Sequence, residues 1–198
     1  MIVYAALIRN GETQGEKDGK HLGPLDEDLS PGGKKELEKR ARERIYPDVE
    51  LVYTGETRRC FQTVETIYPL TPAVLLKELA PFDMGGYNSR TYHSIRVDEQ
   101  FNRWAEQSDL EPLGGGESPH KFHARCRTAY LQIVEEMLSK GLEIVAVVTH
   151  RLVMESILQR FLSPAYKYKN WNIQNGGGYL LSYNTGEKTA KIEKDFEK

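Results

Sequence analysis

Seven consecutive apolar residues, Ile2–Ile8, run straight into the polar string Arg9-Asn10-Gly11-Glu12-Thr13. An unbroken run of this kind fits a strand covered on both faces, ended by a polar turn. Ile144–Val148 is the clearest such run and leads through Thr149-His150 into a helix reaching about Phe161. Between them, Glu50–Thr54 and Ala73–Leu76 predict further strands, and Thr57–Tyr68 a helix. Ser30-Pro31 opens a helix to about Tyr46, with serine as N-cap and proline in the first turn. Ser118-Pro119 opens a longer one, with Phe122, Cys126, Ala129, Tyr130, Ile133, Val134 and Met137 at helical spacing and Gly141 as its stop. The tail predicts strands at Trp171–Gln174, Gly178–Tyr183 and Thr189–Glu193.

Two stretches break the alternation. Gly15–Gly33 reads as loop. Ala80–Gly116 is polar, aromatic and glycine-rich, with a helical patch at Val97–Gln107, and reads as an insertion over the sheet edge. Strands alternating with helices predict an α/β fold, a three-layer sandwich with a mostly parallel central sheet and helices on both faces. The expectation is a single domain spanning 1–198, with residues 80–116 as insertion or lid.

Composition narrows the function. Apolar residues are 39% and charged residues 28%, the mix of a soluble globular protein. The net charge of -2 gives no global field for nucleic acid or anionic membrane, so an anion site must be a local basic cluster. Two cysteines, Cys60 and Cys126, make no disulfide framework, and a cytoplasmic location is expected. The N-terminal run lacks a basic leader, and no apolar stretch approaches the roughly 20 residues that span a bilayer.

In open α/β sheets, ligands bind beyond the carboxyl ends of the strands. Here those ends deliver Arg9-Asn10 and Thr149-His150, with Arg58-Arg59 close behind the second strand. Each is unremarkable singly: such arginines are usually solvated and such histidines structural. Together at one edge they predict a dianion pocket, because guanidinium donors match phosphate oxygens.

These residues also carry a resemblance. Leu7-Ile8-Arg9-Asn10-Gly11-Glu12-Thr13 resembles the signature of the histidine phosphatase (phosphoglycerate mutase-like) superfamily, with asparagine in place of its histidine. Leu22–Gly33, Arg59-Cys60-Phe61-Gln62-Thr63, Gly114–Ser118 and Val147–His150 follow the family's order and spacing. Trp104–Tyr183 is most similar to bacterial alpha-ribazole phosphatase-type members. The resemblance implies two-step phosphoryl transfer on a small phosphorylated metabolite, without metal or other cofactor. A histidine is the nucleophile, arginines and a second histidine hold the oxygens, and a loop glutamate is the acid. It places Arg9, Asn10, Glu16, His21, Arg59, Glu117 and His150 around the phosphate.

The sequence departs from that pattern where the chemistry is done. Asn10 holds the nucleophile's position, and an amide nitrogen is neither basic nor nucleophilic. In Leu79-Ala80-Pro81-Phe82-Asp83-Met84-Gly85 the acid's position falls to Pro81; Glu78 and Asp83 are near but out of register. Glu16 stands where members often carry asparagine, and a carboxylate there repels a phosphate unless paired. The expectation is therefore a phosphomonoester-binding protein with weak or absent hydrolysis. The alternatives are an inactivated copy of a working phosphatase, an altered mechanism with His21 as spare nucleophile, and a non-catalytic module binding a phosphate ligand or partner. Partners are expected to be inorganic phosphate or a small phosphorylated metabolite, not nucleic acid or membrane; a homo-oligomer is left open. Tyr87, Tyr92, Arg103 and Trp104 are candidates for a specificity lid. His120 and His123, with no third ligand evident, read as surface residues rather than a metal site.

Overall fold

The apolar run after Met1 forms β1 (Ile2–Arg9), and the chain lays its sheet partners on either side of it. The other strands are β2 (Leu51–Thr54), β3 (Ala73–Leu75), β4 (Ile144–Thr149), β5 (Gly178–Asn184) and β6 (Thr189–Asp195). They form one six-stranded sheet in the order β3-β2-β4-β1-β5-β6. Pairing is parallel among β3, β2, β4 and β1, and antiparallel for β5 against both neighbours. β2, β4 and β1 are thus neighbours at the centre of the sheet. This structure is a computed structural model and describes residues 1–106, 110–162 and 171–196.

Alternation along the strands builds the layers. Val3, Ala5 and Leu7 of β1, with Val145 and Val147 of β4, face one core. There they meet α6 (Pro119–Lys140) and α7 (Arg151–Phe161) through Tyr130, Ile133, Met137, Met154 and Ile157. Ala6, Ile8, Ala146 and Val148 point the other way, onto Cys60 and Val64 of α3 (Arg58–Ile67). α2 (Pro31–Arg42) packs against α3. The sheet therefore has apolar cover on both faces, which a parallel sheet requires.

The helix ends follow their predicted caps. Ser30 Oγ accepts from Gly33 N at 2.9 Å, Ser118 Oγ accepts from Lys121 N at 3.4 Å, and Gly141 closes α6 at φ 68°.

Four readings change. α2 ends at Arg42 rather than near Tyr46. The loop after β1 contains a four-residue helix, α1 (Gln14–Lys17), because Thr13 and Glu16 form a capping box. The helical patch at Val97–Gln107 is α5 (Glu99–Ala105), capped by Asp98, and follows α4 (Tyr92–Arg96); Gln107 lies outside the described residues. Trp171–Gln174 is not a strand. Trp171 and Ile173 are buried, but the Ile173 carbonyl is bonded to an arginine side chain instead of a neighbouring strand. The segment before α4 and α5 is tied to the loop after β1 by a Lys20–Thr91 bridge and by the bond from His21 N to Arg90 O.

Candidate active site

β1 and β4 run parallel with Arg9 opposite Thr149, and Asn10 N donates to Thr149 O at 2.8 Å. The ladder thereby carries Asn10 and His150 to the same edge of the sheet. His150 Nδ1 lies 3.2 Å from Asn10 Oδ1. The orientation of the Asn10 amide follows from its other partners: Nδ2 faces two acceptors, Gly11 O at 2.9 Å and Glu16 Oε2 at 3.0 Å. Oδ1 must then accept, so His150 carries its proton on Nδ1. Its Nε2 is left as the acceptor, 3.4 Å from Thr57 Oγ1 and 3.6 Å from Cys60 Sγ.

Arg9 and Arg59 are held, not free. Arg9 Nη1 donates to Ile173 O at 2.7 Å and Nη2 to Glu16 Oε1 at 2.9 Å, while its buried Nε meets no acceptor among the described residues. Arg59 is 2% exposed, and its two terminal nitrogens donate to Leu25 O at 2.7 Å and Gly23 O at 2.8 Å. The loop that follows β1 thus wraps the Arg59 guanidinium. Arg58, next in sequence, turns out to the surface and pairs with Asp28.

Arg9, Arg59, Glu16, His21, Pro81 and His150 line one cleft of about 50 Å³, which Lys20, Tyr92 and Arg151 also border. A single water needs roughly 10–15 Å³ on this scale, so the cleft has the size of one small oxyanion. Its electrostatics are lopsided. Lys20, Arg59, Arg151 and the Glu16-paired Arg9 surround two neutral imidazoles. Burial, then Arg59 and Arg9, holds the His150 imidazole well below its ordinary pKa. Burial is also the main cause for His21, opposed by the hydrogen bond between its Nε2 and Phe82 O at 3.1 Å. Burial pushes the Cys60 thiol up to about 11, away from the reactive thiolate.

Several expected residues lie elsewhere. Glu117 makes a two-pronged pair with Arg125, at 2.7 and 2.8 Å, and does not line the cleft. Arg125 also donates to the carbonyls of Glu78 at 2.8 Å, Ala80 at 2.7 Å and Pro81 at 3.0 Å. The Glu117–Arg125 pair thus buckles the segment that carries Pro81 into the site. Neither Glu78 nor Asp83 borders the cleft; Asp83 Oδ1 instead accepts from Gly85 N and Asn88 Nδ2. Of the lid candidates, Tyr92 reaches the cleft. Tyr87 packs with Ile95 and Leu113, Trp104 lies tilted against Phe101, and Arg103 is exposed. His120 is exposed, and His123 Nδ1 lies 2.8 Å from Ser156 Oγ. Among the described residues, no three His, Cys, Asp or Glu gather to hold a metal ion.

The sequence suggests Lys17 or Lys20 as the partner of Glu16; the structure pairs Glu16 with Arg9 and leaves Lys20 on the cleft lining. Sequence reasoning missed Arg151, Arg125 and Asn175. Arg151 directly follows Thr149-His150 and could have been read from that position. Asn175 donates to Asn10 O and to Glu16 Oε2, both at 3.0 Å, from a loop 165 and 159 residues further along the chain, and has no local signal.

The model of the histidine phosphatase superfamily (branch 1) matches residues 5–195. The chain belongs to this superfamily. It is 30% identical over 169 residues to phosphoglycerate mutase-like protein 4 of Arabidopsis thaliana, covering 81% of this chain and 72% of that one. It is 26% identical over 160 residues to phosphoserine phosphatase 1 of Hydrogenobacter thermophilus, covering 79% and 74% of the two chains. The alpha-ribazole phosphatase of Shigella flexneri shares the fold at a TM-score of 0.81 and 20% identity, over 96% of this chain and 95% of that one. Among the described residues, no helix is long and apolar enough to cross a membrane.

Proposed function

We propose that this histidine phosphatase binds a small phosphorylated metabolite in the Arg9–Arg59–His150 cleft and hydrolyses it slowly or not at all. The observation that carries this reading is the state of Asn10. Its amide occupies the end of β1, where the family resemblance puts the nucleophile, and all its polar atoms are engaged by Gly11, Glu16 and His150. An amide so placed can hold neighbours in position but cannot form a phosphoryl intermediate. Pro81 at the same cleft supplies no proton, and the His150 imidazole is held neutral by burial, with its one N–H engaged in the hydrogen bond to Asn10 Oδ1. The paired departures, with Glu16 bonded to Asn10, favour a remodelled site over a single inactivating change. The names of the relatives, mutase-like and phosphoserine phosphatase, support a small phosphomonoester as the ligand class. Both cysteines are free and buried, which agrees with a reducing, cytoplasmic setting.

The test is turnover of p-nitrophenyl phosphate and of a poorer alkyl phosphate by the unaltered chain, by Asn10→His, and by Asn10→His with Pro81→Glu. The unaltered chain is expected to be slow on both. Asn10→His should help mainly on the aryl ester, whose leaving group scarcely needs an acid. The double change should matter on the alkyl ester, where an acid is worth about 10²–10⁴-fold. Brisk turnover of either ester by the unaltered chain overturns the reading. Full alkyl-ester activity from Asn10→His alone would show that another group already serves as acid.

A further inference from the structure

Among the described residues, Glu16 is the one acidic side chain lining the cleft, whose basic side chains are Arg9, Arg59, Lys20 and Arg151. Its carboxylate does not avoid the centre of that cluster but draws donors from three separate segments. Oε1 takes Arg9 Nη2 at 2.9 Å. Oε2 takes Asn10 Nδ2 at 3.0 Å, Asn175 Nδ2 at 3.0 Å and Thr13 N at 3.3 Å. A charged guanidinium, two side-chain amides and a backbone N–H converging on one group make the kind of cradle that holds a phosphoryl group. Here the cradle is filled from within the chain.

We infer that Glu16 is a resident anion: it occupies the donors that a phosphoryl group would use, and an oxyanion ligand must displace it to bind at Arg9 and Asn10. This inference rests on the phosphate-site reading above. The geometry allows the exchange. Glu16 sits on α1, a four-residue helix, and its carboxylate is held by hydrogen bonds and one ion pair. When it swings out, the lost bonds are those an incoming oxyanion restores: one guanidinium nitrogen, two amide nitrogens and the Thr13 N–H. If it stays, the ligand meets a carboxylate across a few ångströms in a partly desolvated cleft, where like charges repel strongly. Glu16 thereby sets specificity. It weakens every simple oxyanion alike and favours ligands that gain further contacts at the mouth, where Lys20 and Arg151 stand.

A purely structural Glu16, present only to neutralise Arg9, predicts something different: its removal would loosen the fold and weaken anion binding. The experiment is calorimetric titration of inorganic phosphate into the unaltered chain, Glu16→Gln and Glu16→Asn, with thermal melting of each as a folding check. Glutamine keeps the length and loses the charge; asparagine also vacates the space, so the pair covers a fold that tolerates only one of them. The expected result is at least a tenfold tighter phosphate affinity in a folded variant, lost again on adding Arg59→Ala. Equal or weaker affinity in the variants, with binding by the unaltered chain still abolished by Arg59→Ala, overturns the resident-anion inference and leaves the phosphate pocket standing. Absence of phosphate binding in all of them sinks both.

Discussion

Asn10 Oδ1 accepts a hydrogen bond from His150 Nδ1 at 3.2 Å, and this contact decides the tautomer of the ring. Nitrogen-15 imidazole spectra of the folded protein should report His150 as the neutral Nδ1–H form. Asn10→Ala removes the acceptor and leaves a buried N–H unsatisfied, at a cost of about 1–3 kcal/mol in chemical denaturation. A His150 proton found on Nε2 would show that the amide of Asn10 points the other way.

His21 and His150 also predict how stability varies with pH. Both are buried, and burial is the largest cause holding each below the ordinary imidazole value of 6.5. The folded protein therefore binds fewer protons than the unfolded chain below that pH, so stability rises with pH. The full contribution is present above about 6.5 and is lost as the pH falls, by at most about 1.4 kcal/mol per unit for each ring. The melting temperature should drop between pH 7.5 and pH 5, and His150→Gln should flatten the drop. A melting temperature that is constant or rises toward pH 5 would contradict the neutral, buried assignment.

Arg125 predicts a structural lesion at a distance from the cleft. It is the shared donor of Glu117 and of three carbonyls at 78, 80 and 81. Arg125→Ala strands the carboxylate and those carbonyls together, and should cost about 2–4 kcal/mol. Lysine keeps the charge but cannot reproduce the fork, so Arg125→Lys should recover only part of the loss. Recovery of full stability by lysine, followed in urea unfolding, would show that charge rather than geometry holds the segment.

Gly178 is a steric prediction. It pairs with Ile8 at the start of β5 with φ 153°, and a Cβ built there would stand 1.9 Å from Leu7 O. Because the clash is with backbone of the central strand, relief requires β5 to move. Gly178→Ala should destabilise by about 2–5 kcal/mol. It should also shift Asn175, whose loop leads into β5, and so loosen the bonds to Asn10 O and Glu16. Nuclear magnetic resonance of the Asn175 side-chain amide would detect that shift; an unchanged signal with unchanged stability would refute it.

What the sequence could tell followed the range of each interaction. β1 and β4 were legible because continuous burial leaves an unbroken apolar run, and their register then brought Arg9, Asn10 and His150 together. Caps at Ser30 and Ser118 were legible because their bonds close within three residues. Trp171–Gln174 misled because alternate burial of Trp171 and Ile173 mimics a strand's period without a partner strand. Glu117 misled because a motif names a residue but not its partner: Arg125 answers it from the next turns of α6. Asn175 and the full set of donors around Glu16 were invisible, since nothing local marks residues that meet only after the sheet has closed.

The position of β1 has a consequence for how this chain is made. It leaves the ribosome well before its neighbours in the sheet, β4 and β5, which follow more than a hundred residues later. At about 5–20 residues per second, the nascent Ile2–Ile8 run waits on the order of ten seconds with both edges unpaired. Such a segment is an aggregation hazard while it waits. Arg9, charged and directly behind the run, is well placed to act as a gatekeeper during synthesis before it has any part in a pocket.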